Sequence, residues 1–366
     1  MTKATIIKMT SVGLLKAPLI QPFRTALGQH DYLENVLFTL ELGDGTKGFG
    51  EAAIATHITG ETLTETMANL KAIGPSLVGK DIADYLQISR ELHERGPRNK
   101  SAVAAVEMAL LDALTRQAKI PLWRFLGDRP RRLKTDITIV IADLAETEDT
   151  IKKFYQQGFR IFKVKIGCDK ELDYKRILAV QKLAPRSAIY LDANQGYSAE
   201  ETLSFLKSLW RAGVTPELVE QPVRKTDWEG LKKVTRLAGT VVCADESVGS
   251  LADAQRVIRE KSAHAINIKL MKFGFWEARE IALLARAAAL KLMIGGMMES
   301  SLAMTAAAHL AAGLGGFDYI DLDTPFFIKE GWEKNPYLSS CGVYDLRRVK
   351  AGIGIVPDEK MTVKIE

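Results

Sequence analysis

From about residue 135 the chain alternates short apolar runs with longer helical stretches. The runs are Ile137–Ile141, Ile161–Ile166, Ala188–Leu191, Glu217–Val219, Val241–Cys243, Ala265–Leu270, Leu292–Ile294 and Tyr319–Ile320. Helical patterns such as Glu146–Gln157, Glu171–Leu183, Ala199–Ala212 and Trp276–Leu290 lie between them. Strands that are apolar throughout are buried on both faces, and strands separated by helices pair in parallel. Eight such units over roughly 190 residues predict an α/β fold, a closed TIM-type (β/α)8 barrel of slightly compact size. An open doubly wound sheet fits less well. It carries a Gly-rich phosphate turn after its first strand, whereas Ile137–Ile141 runs into Ala142-Asp143-Leu144.

The chain before this point reads differently. Alternation in Asn35–Leu42 followed by Gly43-Asp44-Gly45 signals a hairpin. Helical periods follow at Glu61–Val78, Tyr85–Glu94 and Ser101–Gln117, the last rich in alanine. Residues 1–130 are therefore expected to form an α+β domain and residues 131–325 the barrel. The tail, 326–366, contains a strand-like Met361–Ile365 and is expected to return to the first domain.

Composition excludes several partners. The 366 residues carry 50 basic and 45 acidic side chains, a net charge of +5. The charges are interspersed, with no basic stripe among aromatics, so no nucleic acid is expected. No uninterrupted apolar run reaches about 18 residues, so no membrane span is expected; Ile281–Met298 comes nearest but holds Arg286 and Lys291. Cys168, Cys243 and Cys341 show no pairing or zinc spacing, which points to a reducing cytoplasm. The expected partner is a small-molecule substrate, and the expected assembly a homo-oligomer.

Polar residues stand where the apolar runs end. Lys163 and Lys165 lie on the second run, Asp192 ends the third, Glu220 the fourth and Asp245 the fifth. Lys269 is on the sixth, and Asp321 and Asp323 close the eighth. Barrel sites are built at the C-terminal ends of strands, so these residues should meet at one mouth. Asp192, Glu220 and Asp245 make a hard, all-oxygen set suited to Mg²⁺. Taken singly, each could instead cap a helix or lie on the surface. Strands two and six face each other in a ring of eight, which sets Lys165 opposite Lys269. Nearby positive charge and desolvation lower a lysine pKa towards the range of a base, and Lys163, of the same parity as Lys165, should reinforce this. The alternative is that the lysines simply form salt bridges with the carboxylates. Two bases on opposite faces of an α-carbon, with a cation stabilising the enolate, suit a racemase or epimerase.

The strings Lys163-Val164-Lys165, Leu191-Asp192-Ala193-Asn194, Val219-Glu220-Gln221-Pro222, Cys243-Ala244-Asp245-Glu246-Ser247 and Asn267-Ile268-Lys269 resemble the enolase superfamily in its muconate-lactonizing subgroup. The resemblance implies a capping role for the first domain, Mg²⁺ on Asp192, Glu220 and Asp245, and Lys165 and Lys269 as bases. Asp321-Leu322-Asp323 before Thr324-Pro325 looks like the Asp-x-Asp motif of dipeptide epimerases, where the carboxylates hold the substrate's α-ammonium group. Ile58-Thr59-Gly60-Glu61-Thr62 looks like these epimerases too. The same resemblance implies that Thr138, Lys163 and the backbone near Gly296 and Met298 contact the peptide.

Side-chain selection is expected from the loop Ala17–Arg24 and from a second loop carrying His57. Arg24 matches the position that pairs with an acidic second residue in the Ala-Glu type, so the expected reaction is L-Ala-L-Glu to L-Ala-D-Glu. Arg24 could equally be a solvated loop arginine. Rival readings keep the fold: N-succinylamino-acid racemisation, o-succinylbenzoate synthesis, muconate cycloisomerisation, or non-catalytic binding. The first three need no carboxylate pair for an ammonium group.

Overall fold

Period-2 alternation near the N-terminus builds an antiparallel meander of β1 (Ile7–Thr25), β2 (Gly28–Leu42) and β3 (Lys47–Ala52). In this computed structural model residues 4–95, 98–127, 132–329 and 331–364 are described. Val36, Phe38, Leu40 and Leu42 of β2 point to one face and are buried, as alternation requires. They share a core with helices α2 (Leu63–Leu77) and α4 (Lys100–Gln117), while α1 (Thr56–Thr59), α3 (Tyr85–Arg95) and α5 (Leu122–Leu126) complete the set. The tail strand β14 (Thr362–Lys364) pairs antiparallel with the free edge of β1. The expected domain boundary near residue 130 lies outside the described residues.

Alanines and glycines set how near α4 comes to the sheet. A Cβ placed on Gly50 would stand 1.9 Å from the carbonyl oxygen of Ala105, and one on Gly48 would stand 2.1 Å from that of Ala109. Only hydrogen fits between strand and helix here.

After β4 (Leu133–Lys134), eight strands run in chain order as parallel neighbours: β5 (Ile137–Ile139), β6 (Ile161–Lys165), β7 (Ala188–Asp192), β8 (Leu218–Glu220), β9 (Val241–Ala244), β10 (Ala265–Lys269), β11 (Lys291–Gly295) and β12 (Tyr319–Ile320). Seven helices connect them: α6 (Leu144–Gln157), α7 (Lys170–Leu183), α8 (Ala199–Arg211), α9 (Trp228–Leu237), α10 (Leu251–Glu260), α11 (Leu270–Ala287) and α12 (Ser301–Leu314). Six start on an oxygen that accepts a first-turn N–H, supplied by Asp143, Asp169, Ser198, Asp227, Ser250 and Ser300. Asp192 and Asp245 are thus not the caps of α8 and α10. Directly after β12 the chain makes a 3-10 turn, Thr324–Phe326, where an eighth helix would start, and β13 (Val343–Tyr344) pairs with β4.

The expected closure takes an unexpected form. Among the described residues β5 and β12, three and two residues long, share no ladder. The seam is joined by Asp136 N–H to Ile320 O (3.0 Å), Leu322 N–H to Thr135 Oγ1 (2.7 Å) and Thr138 N–H to Asp323 Oδ2 (2.6 Å). No described helix is long and apolar enough to cross a membrane.

Gly50→Ala should lower unfolding free energy by about 1–3 kcal/mol, since overpacking displaces backbone. A denaturant midpoint equal to that of the parent would show that α4 can move away from β3.

Candidate active site

Register assembles the polar residues. Lys165 pairs with Asp192 across β6 and β7, and Asp192 with Glu220 across β7 and β8. Parallel strands in this register place all three side chains on the same face and level. Asp245 follows β9, and Lys269 ends β10. Lys163, two residues before Lys165, shares its face. All six side chains are buried, so each charge needs a partner.

Lys163 sits at the hub. Its Nζ is 2.6 Å from Asp321 Oδ2, 2.7 Å from Glu220 Oε2 and 3.0 Å from Asp192 Oδ2. Burial alone would discharge it, but Asp192, Asp321, Glu220 and Asp136 outweigh burial and hold its pKa well above that of a free lysine. The expected depression of the lysine pKa is therefore overturned at Lys163, and also at Lys269, where Asp245 and then Glu220 outweigh burial and raise it. Lys165 Nζ donates to Asp192 Oδ2 (2.6 Å), and Lys269 Nζ to Asp245 Oδ2 (2.7 Å). Lys272 donates to the other oxygen of Asp245 (2.7 Å). Burial of Asp192 is overcome by Lys163 and Lys165, which draw it down to about 2. Glu220 goes the other way, to about 7, through burial and the Asp192 charge.

The donor set fits a hard divalent cation. Asp192, Glu220 and Asp245 offer only oxygen, and Asn267 Nδ2 fixes Glu220 by donating to its Oε1 (2.7 Å). Glu220 Oε2 has a Lys163 ammonium nearby, but among the described residues neither it nor the buried Oε2 of neighbouring Glu246 has an aligned hydrogen bond. Unsatisfied buried carboxylate oxygens are what a Mg²⁺ site contains before its ion. A second acidic group, Asp136, Asp321 and Asp323, brings oxygens within 4.8 Å of one another at the seam.

Lys165, Lys269, Thr138, Gly296, Met298, Asp321 and Asp323 line one cavity over this row. Phe23, Thr25, His30, Ala55, His57, Ile58 and Met297 line its wall on the capping side and along the β11 loop, with Asn194 and Thr324 from the barrel. Arg24 is not in that wall. Residues 17–24, expected as a loop, belong to β1, and alternation turns Phe23 and Thr25 inward and Arg24 outward, where its Nε donates to Gln29 Oε1 (2.8 Å). The His30 and His57 rings meet at 5.1 Å, tilted by 52°, and burial, with His57 acting on His30 and Lys165 on His57, lowers both pKa values.

Several side chains escaped the sequence reading. Asn35 donates to Met298 O (2.8 Å) and to Glu51 Oε1 (2.6 Å), while Ser300 N–H and Oγ bind Glu51. The first domain thereby holds the β11–α12 loop, and Met298 O is already engaged. Asp136 is a further omission; its parity with Thr138 on an apolar strand was the available signal.

Comparison with known proteins agrees with this arrangement. Residues 9–127 match the family model of the mandelate racemase / muconate lactonizing enzyme N-terminal domain, and residues 146–361 match the enolase C-terminal domain-like model. A hydrophobic dipeptide epimerase of Citrifermentans bemidjiense is 49% identical, over 94% of this chain and 96% of that one. An L-Ala-D/L-Glu epimerase of Bacillus subtilis is 37% identical, over 86% and 87%. The crystal structure of a dipeptide epimerase from Enterococcus faecalis, complexed with Mg and L-Leu-L-Tyr, superposes with a TM-score of 0.89 at 31% identity, covering 95% of this chain and 99% of that one.

The two acidic groups can be told apart by calorimetry. Glu220→Gln should weaken Mg²⁺ binding by at least about 10-fold, the loss seen even for outer-shell partners, and Asp136→Asn should weaken it far less. The reverse order would move the metal to the seam.

Proposed function

Because the chain belongs to the mandelate racemase/muconate lactonizing enzyme family, with its enolase-like C-terminal domain, we propose that it epimerises dipeptides at the α-carbon of the C-terminal residue. One observation carries this reading. Lys165 and Lys269 come from strands four apart in a ring of eight, and both line the same cavity.

In this mechanism the substrate lies between the two lysines. One enters as the amine and takes the α-proton from one face. The C–H electron pair passes into the adjoining carboxylate, leaving an enolate. The other lysine enters as the ammonium and returns a proton to the opposite face, so a C–H bond is broken and one is made with no net change in protons. The roles exchange when the other epimer binds. Asp192, Glu220 and Asp245 would hold Mg²⁺, which supplies positive charge beside the substrate carboxylate. Asp321 and Asp323 receive the α-ammonium group, a role that the substrates of the succinylated and cycloisomerase reactions would leave unused. Thr138 lends its backbone N–H to Asp323 and so fixes one of that pair.

The second residue of the dipeptide is apolar in this reading. Phe23, Ala55, Ile58, Met297 and Met298 supply an apolar wall, and Arg24 points elsewhere. The hydrophobic dipeptide epimerase among the relatives supports this choice over an Ala-Glu substrate.

Both parts are open to test. Lys165→Ala and Lys269→Ala should each reduce epimerisation by about 10²–10⁴-fold, the range for a general base. In D₂O each variant should still exchange the α-proton of one epimer only. Full activity of either variant rules out the two-base scheme. Separately, kcat/KM for L-Ala-L-Leu should exceed that for L-Ala-L-Glu by at least about 10-fold. A preference for L-Ala-L-Glu that Arg24→Ala abolishes would restore the acidic substrate.

A further inference from the structure

The seam between β5 and β12 holds three carboxyl groups, of which two accept a hydrogen bond from a described residue. Asp321 Oδ2 accepts from Lys163 Nζ (2.6 Å), and Asp323 Oδ2 from Thr138 N–H (2.6 Å). Asp136 is fully buried, and neither of its oxygens receives a hydrogen bond from a described residue. One of its oxygens lies within 4.8 Å of an oxygen of Asp321 and of one of Asp323.

Two carboxylates repel, whereas a carboxylic acid and a carboxylate form a strong hydrogen bond. An ionised carboxylate without a donor is also costly to bury. The groups around Asp136 offer little compensation. Asp321 and Asp323 come from the end of β12, Lys163 from β6 and the Tyr190 ring from β7, with Tyr344 behind Asp323. Lys163 is the one cation among them, and it is shared with Asp192 and Glu220. Burial, then Asp321 and Asp323, push the Asp136 carboxyl well above its ordinary range.

We propose that Asp136 is a neutral carboxylic acid that donates its proton to Asp321, and that it is a positioning residue for the substrate's ammonium group. The inference rests on the reading of Asp321 and Asp323 as the ammonium acceptors. With the proton in place the trio carries two negative charges where it would otherwise carry three, with Lys163 beside Asp321 and the dipeptide ammonium as their further partner. The donated hydrogen bond also fixes the Asp321 carboxylate, leaving it to face Lys163 and the cavity.

The test uses the full chain with Mg²⁺ bound. Infrared spectra of the substrate-free protein should show a protonated-carboxyl band that persists above the ordinary range of carboxyl titration, shifts on H/D exchange, and is lost from Asp136→Asn. Asp136→Ala should raise KM for the dipeptide about 10-fold or more with a smaller change in kcat. Asp136→Asn, which keeps a neutral donor, should recover most of that loss. A loss in Asp136→Asn as large as in Asp136→Ala would show that an ionised Asp136 is required, and overturn the proposal. So would an infrared spectrum unchanged by Asp136→Asn, or a saturable need for Na⁺ or K⁺ that this variant removes, which would place a metal cation where the proton is assigned. The infrared band is read without turnover, so a protein inactive towards dipeptides would remove the proposed reaction and leave the protonation result standing.

Discussion

The register of three short parallel strands governs the site. Lys165, Asp192 and Glu220 lie in one row because β6, β7 and β8 pair at those residues. A slip of one residue would turn every side chain on the moved strand to the other face. It would push charges into the apolar layer against the helices and leave their partners unpaired, a loss of several kcal/mol per broken buried pair. The floor beneath the row is built to resist this. Tyr190, Leu218, Cys243, Ala265, Met293 and Tyr319 fill the barrel interior one level down.

Charge balance follows from that geometry. Four buried carboxylates, Asp192, Glu220, Asp245 and Asp321, face four lysines, and the lysines share them unequally. Lys163 reaches three carboxylates, Lys165 one, while Lys269 and Lys272 divide Asp245 between them. Lys163 therefore acts as a fixed cation that joins the acidic row to the seam. Among the described residues Lys165 and Lys269 each pair with one carboxylate, and unlike Lys163 both border the cavity.

Much of this was legible in the sequence. The steps between Lys165, Asp192, Glu220, Asp245 and Lys269 are 27, 28, 25 and 24 residues, one strand–helix unit each. Those intervals, with parity along each strand, predict one mouth without long-range information. Three features were not legible. The direction of Arg24 depends on β1 continuing to Thr25 with an irregular register between Pro18 and Phe23, which no local pattern of Ala17–Arg24 declares. The seam depends on side chains from segments about 185 residues apart, such as Thr138 with Asp323. Asp136 reads as one acid at the start of an apolar strand, and its meaning appears only when Asp321 and Asp323 arrive beside it.

The contacts of Asn35 and Glu51 with Met298 and Ser300 tie the first domain to the barrel by hydrogen bonds between residues more than 240 positions apart. Recombination is constrained as a result. A capping domain transplanted from a relative would bring its own cavity wall, yet the loop holding Gly296 and Met298 would keep its shape only if the donor also supplied the amide and the carboxylate. The two halves of this chain should therefore be inherited, and redesigned, as a matched set.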